Sequence, residues 1–308
     1  MSGERSDGEK ISSIAELNSF QPDKAARQIG ASSREAVMPE FKFFQIDAFA
    51  ERPMTGGPAG VMPVDAFPDA AVMQAIAAEN NIAETAFLVA KAKGMWDLRW
   101  FTPLLEVPLC GHATLASAHA IYSHLGYDGP EIGFDTASGR LTVKRLGDGR
   151  LEMDFPAQPP REVPMPDGLV EALGAQPAAV VAGPYLMAVF RTPAEVCALK
   201  PDLAQVNRIS GGATGGRGNL VCAAPGASEG YDVVSRFFAP GSGIPEDPAT
   251  GSAHCIIAPY FSEKLGKAEL KCFQAYPGRG ADIVTRMQGD RVKLIGRART
   301  VIEGVFRT

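Results

Sequence analysis

The sequence predicts an α+β fold: two similar domains from an internal duplication, each a β-sheet rolled into a barrel around a central α-helix. Three observations predict it. The stretch PLCGHATLASAHAIYSHLG at 108–126 is written again as PATGSAHCIIAPYFSEKLG at 248–266. The flanking segments repeat with it. Both repeated stretches are apolar around nearly the whole helical circumference, as a buried helix must be. An amphipathic helix laid on an open sheet is the alternative reading of the same pattern.

The elements follow in chain order. Residues 1–40 are polar and mixed in charge, without a signal-peptide core, and read as an extension outside the fold. AFLVAKAKG and its counterpart NLVCAAPGASEG are short buried strands that run into loops. Next come RWFTPLLEVPLCG and SRFFAPGSGIPEDPATG. With one three-residue insertion after Pro103/Pro240, Arg99, Phe101, Pro103, Glu106, Pro108 and Gly111 meet Arg236, Phe238, Pro240, Glu246, Pro248 and Gly251. The helices follow, the first over 112–125, where Ala113, Leu115, Ala116, Ala118, Ala120, Ile121 and Leu125 cover nearly the full circumference. Finally VKRLGDGRLEM (143–153) and VTRMQGDRVKL (284–294) each read as strand, tight Asp/Gly turn and returning strand. A period near 140 residues is too long for a solenoid and points to duplication of a domain. The boundary falls in PAQPP (156–160), giving domains at 41–157 and 158–308, with a last strand able to cross back to the first.

Composition narrows the function. The chain has 308 residues, 45% hydrophobic and 21% charged, with a formal net charge of -5. That balance offers neither a basic footprint for nucleic acid nor a polybasic membrane anchor. No apolar run approaches the ~20 residues of a membrane span. Cys110, Cys197, Cys222, Cys255 and Cys272 are scattered and form no CxxC pair, which suits a reducing, cytoplasmic setting without disulfides or structural zinc.

Each helix is preceded by a Pro-x-x-Gly turn. A helix start carries unpaired N–H donors and partial positive charge, so two of them facing across a cleft suit a carboxylate. Equally, Thr250 or Ser252 could simply cap its helix. Differences between the copies single out other residues: His112 stands opposite Ser252, Val107 opposite Asp247, and Glu84 opposite Gly216. Glu84, at the mouth of an apolar strand, reads either as a solvated rim residue or as a partly desolvated carboxylate with a raised pKa, fit for general acid/base work.

GGPAGV, NNIAETAFL, RWFTPLLEVPLCGHATLASAHAI and FAPGSGIPEDPATGSAHCI together resemble the PhzF-like (phenazine-biosynthesis F) family, from about Phe41 to the C-terminus. The resemblance implies the diaminopimelate-epimerase-like fold, a cofactor-free site between the domains, and a homodimer. It also implies a glutamate that moves a proton between carbons of a dihydroaromatic hydroxy-amino acid. Carried over by motif, that glutamate is Glu84, with His112 and Asp247 as polar companions. Gly111, Gly251 and Ser252 belong to the loops that would hold the substrate carboxylate. Gly57 stands where relatives commonly carry Asn, which implies a missing amide, an unfilled volume and a different substrate.

Two other chemistries are disfavoured. A two-thiol epimerase needs a cysteine on each helix-start loop, but the counterpart of Cys110 is Thr250, and Cys255 lies inside the helix. His112, His119, His124 and His254 include no HExxH and no close carboxylate at ligand spacing, so no metal is expected. His119 and His124 read as hydrogen-bonded core residues. GGATGGRGNL leads into a strand and fails the context test for a nucleotide loop, and Arg217 within it reads as a solvated arginine or an anion partner. The expected function is a cofactor-independent isomerase acting on a small carboxylate-bearing metabolite. The alternative is a ligand-binding or interaction protein of the same fold without turnover.

Overall fold

The computed structural model describes residues 40–226 and 230–307. The extension expected at 1–40 therefore lies outside the described residues, except that Glu40 already opens the first strand. In chain order the elements are β1 (Glu40–Ala48), β2 (Gly57–Val64), α1 (Ala70–Asn80), β3 (Glu84–Ala90), β4 (Met95–Phe101), β5 (Glu106–Val107) and α2 (Gly111–His124). A meander of β6 (Glu131–Thr136), β7 (Gly139–Arg145) and β8 (Leu151–Pro156) follows. Next come β9 (Arg161–Glu162), α3 (Leu169–Leu173), β10 (Ala179–Ala182), β11 (Leu186–Val189), α4 (Pro193–Ala198) and α5 (Leu203–Thr214). The chain ends with β12 (Leu220–Pro225), β13 (Val233–Phe238), β14 (Glu246–Asp247), α6 (Gly251–Leu265), β15 (Glu269–Gln274), β16 (Ala281–Gln288), β17 (Arg291–Gly296) and β18 (Ala298–Arg307).

Pairing links sixteen of these strands in one ladder: β18, β1, β2, β3, β4, β6, β7, β8, β17, β16, β15, β13, β12, β11, β10 and β9. The ladder does not close, so the expected barrels are instead an open, sheet-rich α/β arrangement with β18 and β9 at its ends. Its two arms use the same local pairings. β4 is antiparallel to β3 and parallel to β6, with the short β5 on the same edge. β13 is antiparallel to β12 and parallel to β15, with β14 in the equivalent place. β8 and β17 join the arms, and β18 returns from the chain end to pair with β1.

The two repeated helices sit in the curve of these arms. α2 packs on β1, β2, β3, β8 and β18, and α6 on β12, β15, β16 and β17. One large hydrophobic core runs through both, from Ala113–Ile121 to Ala253–Phe261. Alanines at 113, 116, 118 and 120 let strands approach α2 from several sides. Its buried hydroxyls are paired within the helix, Thr114 donating to Cys110 O and Ser117 to Ala113 O. In α6, Pro259 has no N–H to give the carbonyl four residues back. That carbonyl, Cys255 O, instead accepts from Gln158 N at 2.9 Å, which ties the linker between the arms to the helix.

Candidate functional site

The starts of α2 and α6 meet. A Cβ added at Gly111 would stand 3.6 Å from the Gly251 Cα, and one at Gly251 would stand 3.7 Å from the Gly111 Cα. A methyl at either position would just touch the facing helix start, and one at Gly251 would also press on Leu294 Cδ1 at 3.2 Å. Neither start has a side-chain cap: Cys110 and Thr250, the N-cap residues, make no capping hydrogen bond. Most first-turn N–H donors therefore remain available, that of Ala113 lying near the Cys110 thiol, and the simple-capping alternative fails for Thr250.

Glu84 is delivered to this junction by a turn. α1 is capped by Asn81, which takes the left-handed conformation (φ 48°), and the chain re-enters as β3 with Glu84 as its first residue. Glu84 Oε2 lies 3.0 Å from His112 Nε2, with side chains 18% and 5% exposed. The pair is in contact but not aligned for a hydrogen bond, and both atoms are buried without another protein partner. On the opposite ring edge, Nδ1 of His112 is 3.6 Å from the Cys110 thiol. Burial works against the His112 imidazolium, but Cys110 and Glu84 beside it outweigh that and hold its pKa well above the ordinary value. Burial, reinforced by Glu84, pushes the Cys110 thiol up.

Asp247 ends β14 and belongs to the same electrostatic cluster. Burial raises its pKa; His112 opposes the rise, and Glu84 adds to it. Its Oδ2 accepts from the Thr250 hydroxyl at 2.6 Å. The side chain of Gln274 fixes that loop. Its Oε1 accepts from Thr250 N at 2.8 Å, while its Nε2 donates to Asp247 O at 2.6 Å and to Thr250 Oγ1 at 3.1 Å. Because Thr250 Oγ1 already accepts from Gln274, its own proton is directed to Asp247. Ser252, in the first turn of α6, shares a hydrogen bond of 3.1 Å with the Tyr185 hydroxyl.

Glu84, His112, Asp247, Gly111 and Gly251 thus converge, and Ser252 stands at the adjoining helix start. Two expectations need correction. His112 does have a close carboxylate: Glu84 and Cys110 place ligand atoms within 4.8 Å of one another and of His112. Sequence spacing hid this because Glu84 arrives from another strand. The thiol meets Nδ1 and the carboxylate meets Nε2, so one ion would have to choose a ring edge. Gly57 leaves no unfilled volume either. A Cβ there would lie 2.8 Å from Ala249 Cβ and 3.3 Å from the His112 ring. The glycine lets the turn pack directly against both.

Sequence reasoning missed Gln274, although a signal existed. Leu270, Cys272 and Gln274 share the buried face of β15, which puts a polar residue in an apolar phase. It also missed a clasp behind the Gly56–Gly57 turn. Arg279 donates from Nη2 to Asp47 Oδ1 at 2.7 Å and to Thr55 O at 3.2 Å, and from Nε to Gly56 O at 3.0 Å. His119 and His124 are hydrogen-bonded as expected, both to Thr300 Oγ1. Arg217 is exposed beyond the end of α5.

A family model described as phenazine biosynthesis-like protein, PhzC-PhzF, matches residues 46–304. The chain belongs to this family. It is 43% identical over 267 residues to an uncharacterized isomerase of Pseudomonas aeruginosa, covering 87% of this chain and 99% of that one. A PhzF-family crystal structure from Enterococcus faecalis superposes with a TM-score of 0.82 at 32% identity, covering 88% of this chain and all of that one. A hydroxyproline epimerase from Agrobacterium vitis shares the fold alone, at a TM-score of 0.55 and 11% identity over 87% of this chain and 92% of that one. No helix among the described residues is long and apolar enough to cross a membrane.

Proposed function

We propose that this PhzF-family chain is an isomerase that moves a proton between carbons of a small carboxylate-bearing metabolite. The observation that carries the reading is the buried contact of Glu84 Oε2 and His112 Nε2, both without other partners, beside two uncapped helix starts. The substrate carboxylate binds the first-turn N–H groups around Gly111, Gly251 and Ser252. Glu84 takes a proton from the carbon next to an unsaturated or carbonyl group and returns it to another carbon, so the enzyme ends unchanged. The imidazolium of His112 and the carboxyl of Asp247 stabilise the charge that develops on the substrate. The chemistry asks for no cofactor or metal, because a placed base and charge stabilisation suffice.

The isomerase names of the relatives support the reaction class. The parallel pairing patterns of the two arms support a duplicated origin, with units at 41–157 and 158–308. One side of β18 carries no ladder pairing among the described residues and exposes Val301, Ile302 and Val305, which supports a homodimer.

The test is solvent exchange. Candidate acids incubated with the protein in heavy water should gain deuterium at carbon, with or without a chelator present. Glu84→Gln should slow that exchange by about 10²–10⁴-fold, the usual worth of a placed acid/base. Tight binding with no exchange by the unaltered protein would instead indicate a ligand-binding member of the family.

A further inference from the structure

At the far end of α2 from Glu84 lies a cavity of about 160 Å³, whose wall includes His119, Tyr122, Ser123, Arg145, Arg297 and Arg299. His119 follows His112 by seven residues, about 10 Å along the helix axis, so this is a separate place. We propose that the cavity binds a tetrahedral oxyanion of the phosphate type, either free or as the head of a small phosphate monoester.

The charge balance of the wall is the argument. Three guanidinium groups meet two carboxylates, Glu51, whose Oε2 is 3.3 Å from Arg297 Nε, and Asp148, which also feels Arg297. Their other contacts are neutral carbonyls. Arg145 Nη2 donates to Asp128 O at 3.0 Å, Arg297 Nη1 to Asp148 O at 2.9 Å, and Arg299 Nε and Nη2 to Glu51 O at 3.2 and 3.1 Å. These bonds fix each side chain yet consume few of the five N–H donors that a guanidinium carries. Asp148 is shared with Arg150, which takes its Oδ2 at 2.7 Å, and Glu131 is paired with Lys144, so the wall keeps a net positive charge.

Arg145 is held further by stacking, its guanidinium carbon 4.5 Å from the centre of the Tyr122 ring. The Tyr122 hydroxyl is buried in the same wall with no well-aligned hydrogen bond, its nearest backbone donor being that of Arg145. His119 reports the local field. Burial lowers its pKa to about 4, with His124 and Arg299 adding to the effect, so it stays neutral and leaves the anion to the arginines.

Geometry selects the ligand class. A carboxylate has two oxygens and is matched by one fork, whereas phosphate offers oxygens to several forks at once. The volume lies below the roughly 300 Å³ of ordinary small-molecule pockets, which suits an inorganic anion or a short ester.

The experiment is a titration of the intact chain at fixed ionic strength, by calorimetry and thermal shift, with inorganic phosphate, glycerol phosphate and chloride. Saturable one-to-one binding of phosphate or glycerol phosphate is expected, with none for chloride, and the tighter of the two identifies the source of the anion. Arg145→Gln and Arg299→Gln should each weaken binding at least tenfold, while Arg299→Lys, which keeps charge but loses the fork, should fall between. In the unaltered protein, phosphate should also raise the His119 pKa, read by imidazole proton shifts. An equal stabilisation by chloride, binding unchanged in the Arg145→Gln/Arg299→Gln variant, or a His119 pKa indifferent to phosphate would overturn the proposal.

Discussion

Each of the two facing helices buries a histidine near its start, and the two histidines are held in opposite states. His112 on α2 sits between the Cys110 thiol and the Glu84 carboxylate, and its pKa is held well above the ordinary value despite burial. His254 on α6 has no acid beside it. Its Nδ1 is 2.8 Å from Thr250 O, its Nε2 is buried without a partner, and burial lowers its pKa to about 4. Burial disfavours the charged ring in both places; Cys110 and Glu84 overcome it at His112, and nothing comparable does at His254. The loops differ likewise. Gln274 pins the α6 start through three hydrogen bonds, whereas Ser138 holds the α2 start by one, to Pro108 O. One helix start keeps unpartnered chemistry; the other is a braced wall for it.

The arms also repeat one ion pair at two depths, which gives the largest expected effect on stability. Arg236 grips Glu246 with both Nε and Nη2 at 2.8 and 2.7 Å, and its Nη1 donates to Leu199 O at 2.7 Å. The side chains are only 7% and 10% exposed. Arg236→Met leaves the Glu246 carboxylate buried and unpaired, so a loss of about 3–5 kcal/mol is expected. Chemical denaturation measures it. A loss below about 1 kcal/mol would mean that water reaches Glu246.

Much of this was legible in the sequence, for particular reasons. The paired stretches at 108–126 and 248–266 revealed the helices because apolar residues covered every face. Comparing the copies singled out His112, Asp247 and Glu84 because each lacks its chemical counterpart. A last strand crossing back was foreseen, and β18 does pair with β1, but the open ends of the ladder were not legible, because periodicity does not say whether a sheet closes. Nor was the role of Gly57. Its neighbours, Ala249 and His112, come from distant segments, and a glycine between them looks in sequence like a missing side chain.

Gln274 tests the bracing of α6 at the next level down. Gln274→Leu strands Thr250 N–H and Asp247 C=O without their buried partner, at a cost of about 1–3 kcal/mol for each group left unsatisfied. It also frees the Thr250 hydroxyl to turn from Asp247. Thermal unfolding should show the stability loss, and solvent exchange at the candidate site should fall with it. Full exchange in a destabilised Gln274→Leu protein would separate the brace from the chemistry.

The two histidine states also predict how stability depends on pH. Unfolded histidines take up protons near pH 6.5. His119 and His254 do so in the folded protein only at about 4. The unfolded state therefore binds more protons between those values. Their contribution to stability is whole above about pH 6.5 and is lost as pH falls toward about 4. Each contributes a slope of about 1.4 kcal/mol per pH unit within that window. His112 has the opposite sign: its contribution is whole below about 6.5 and is lost as pH rises through its elevated folded value. Denaturation midpoints across pH 4–7 should show the acid-side slope, and His254→Gln should reduce it by one proton.

The smallest effect belongs to the exposed twin of the buried ion pair. Arg99 holds Glu106 with the same two bonds, Nε and Nη2 at 2.7 and 2.8 Å, and lies over the Phe101 ring as Arg236 lies over Phe238. Its side chain and that of Glu106 are 30% and 40% exposed. Water can solvate either charge once the other is removed, so the geometry that matters at Arg236 counts for little here. Arg99→Met should cost less than about 1 kcal/mol, and that cost should shrink further in high salt, whereas the Arg236→Met loss should hardly respond. Equal losses for the two substitutions would show that bidentate geometry, and not depth, sets the value of this repeated pair.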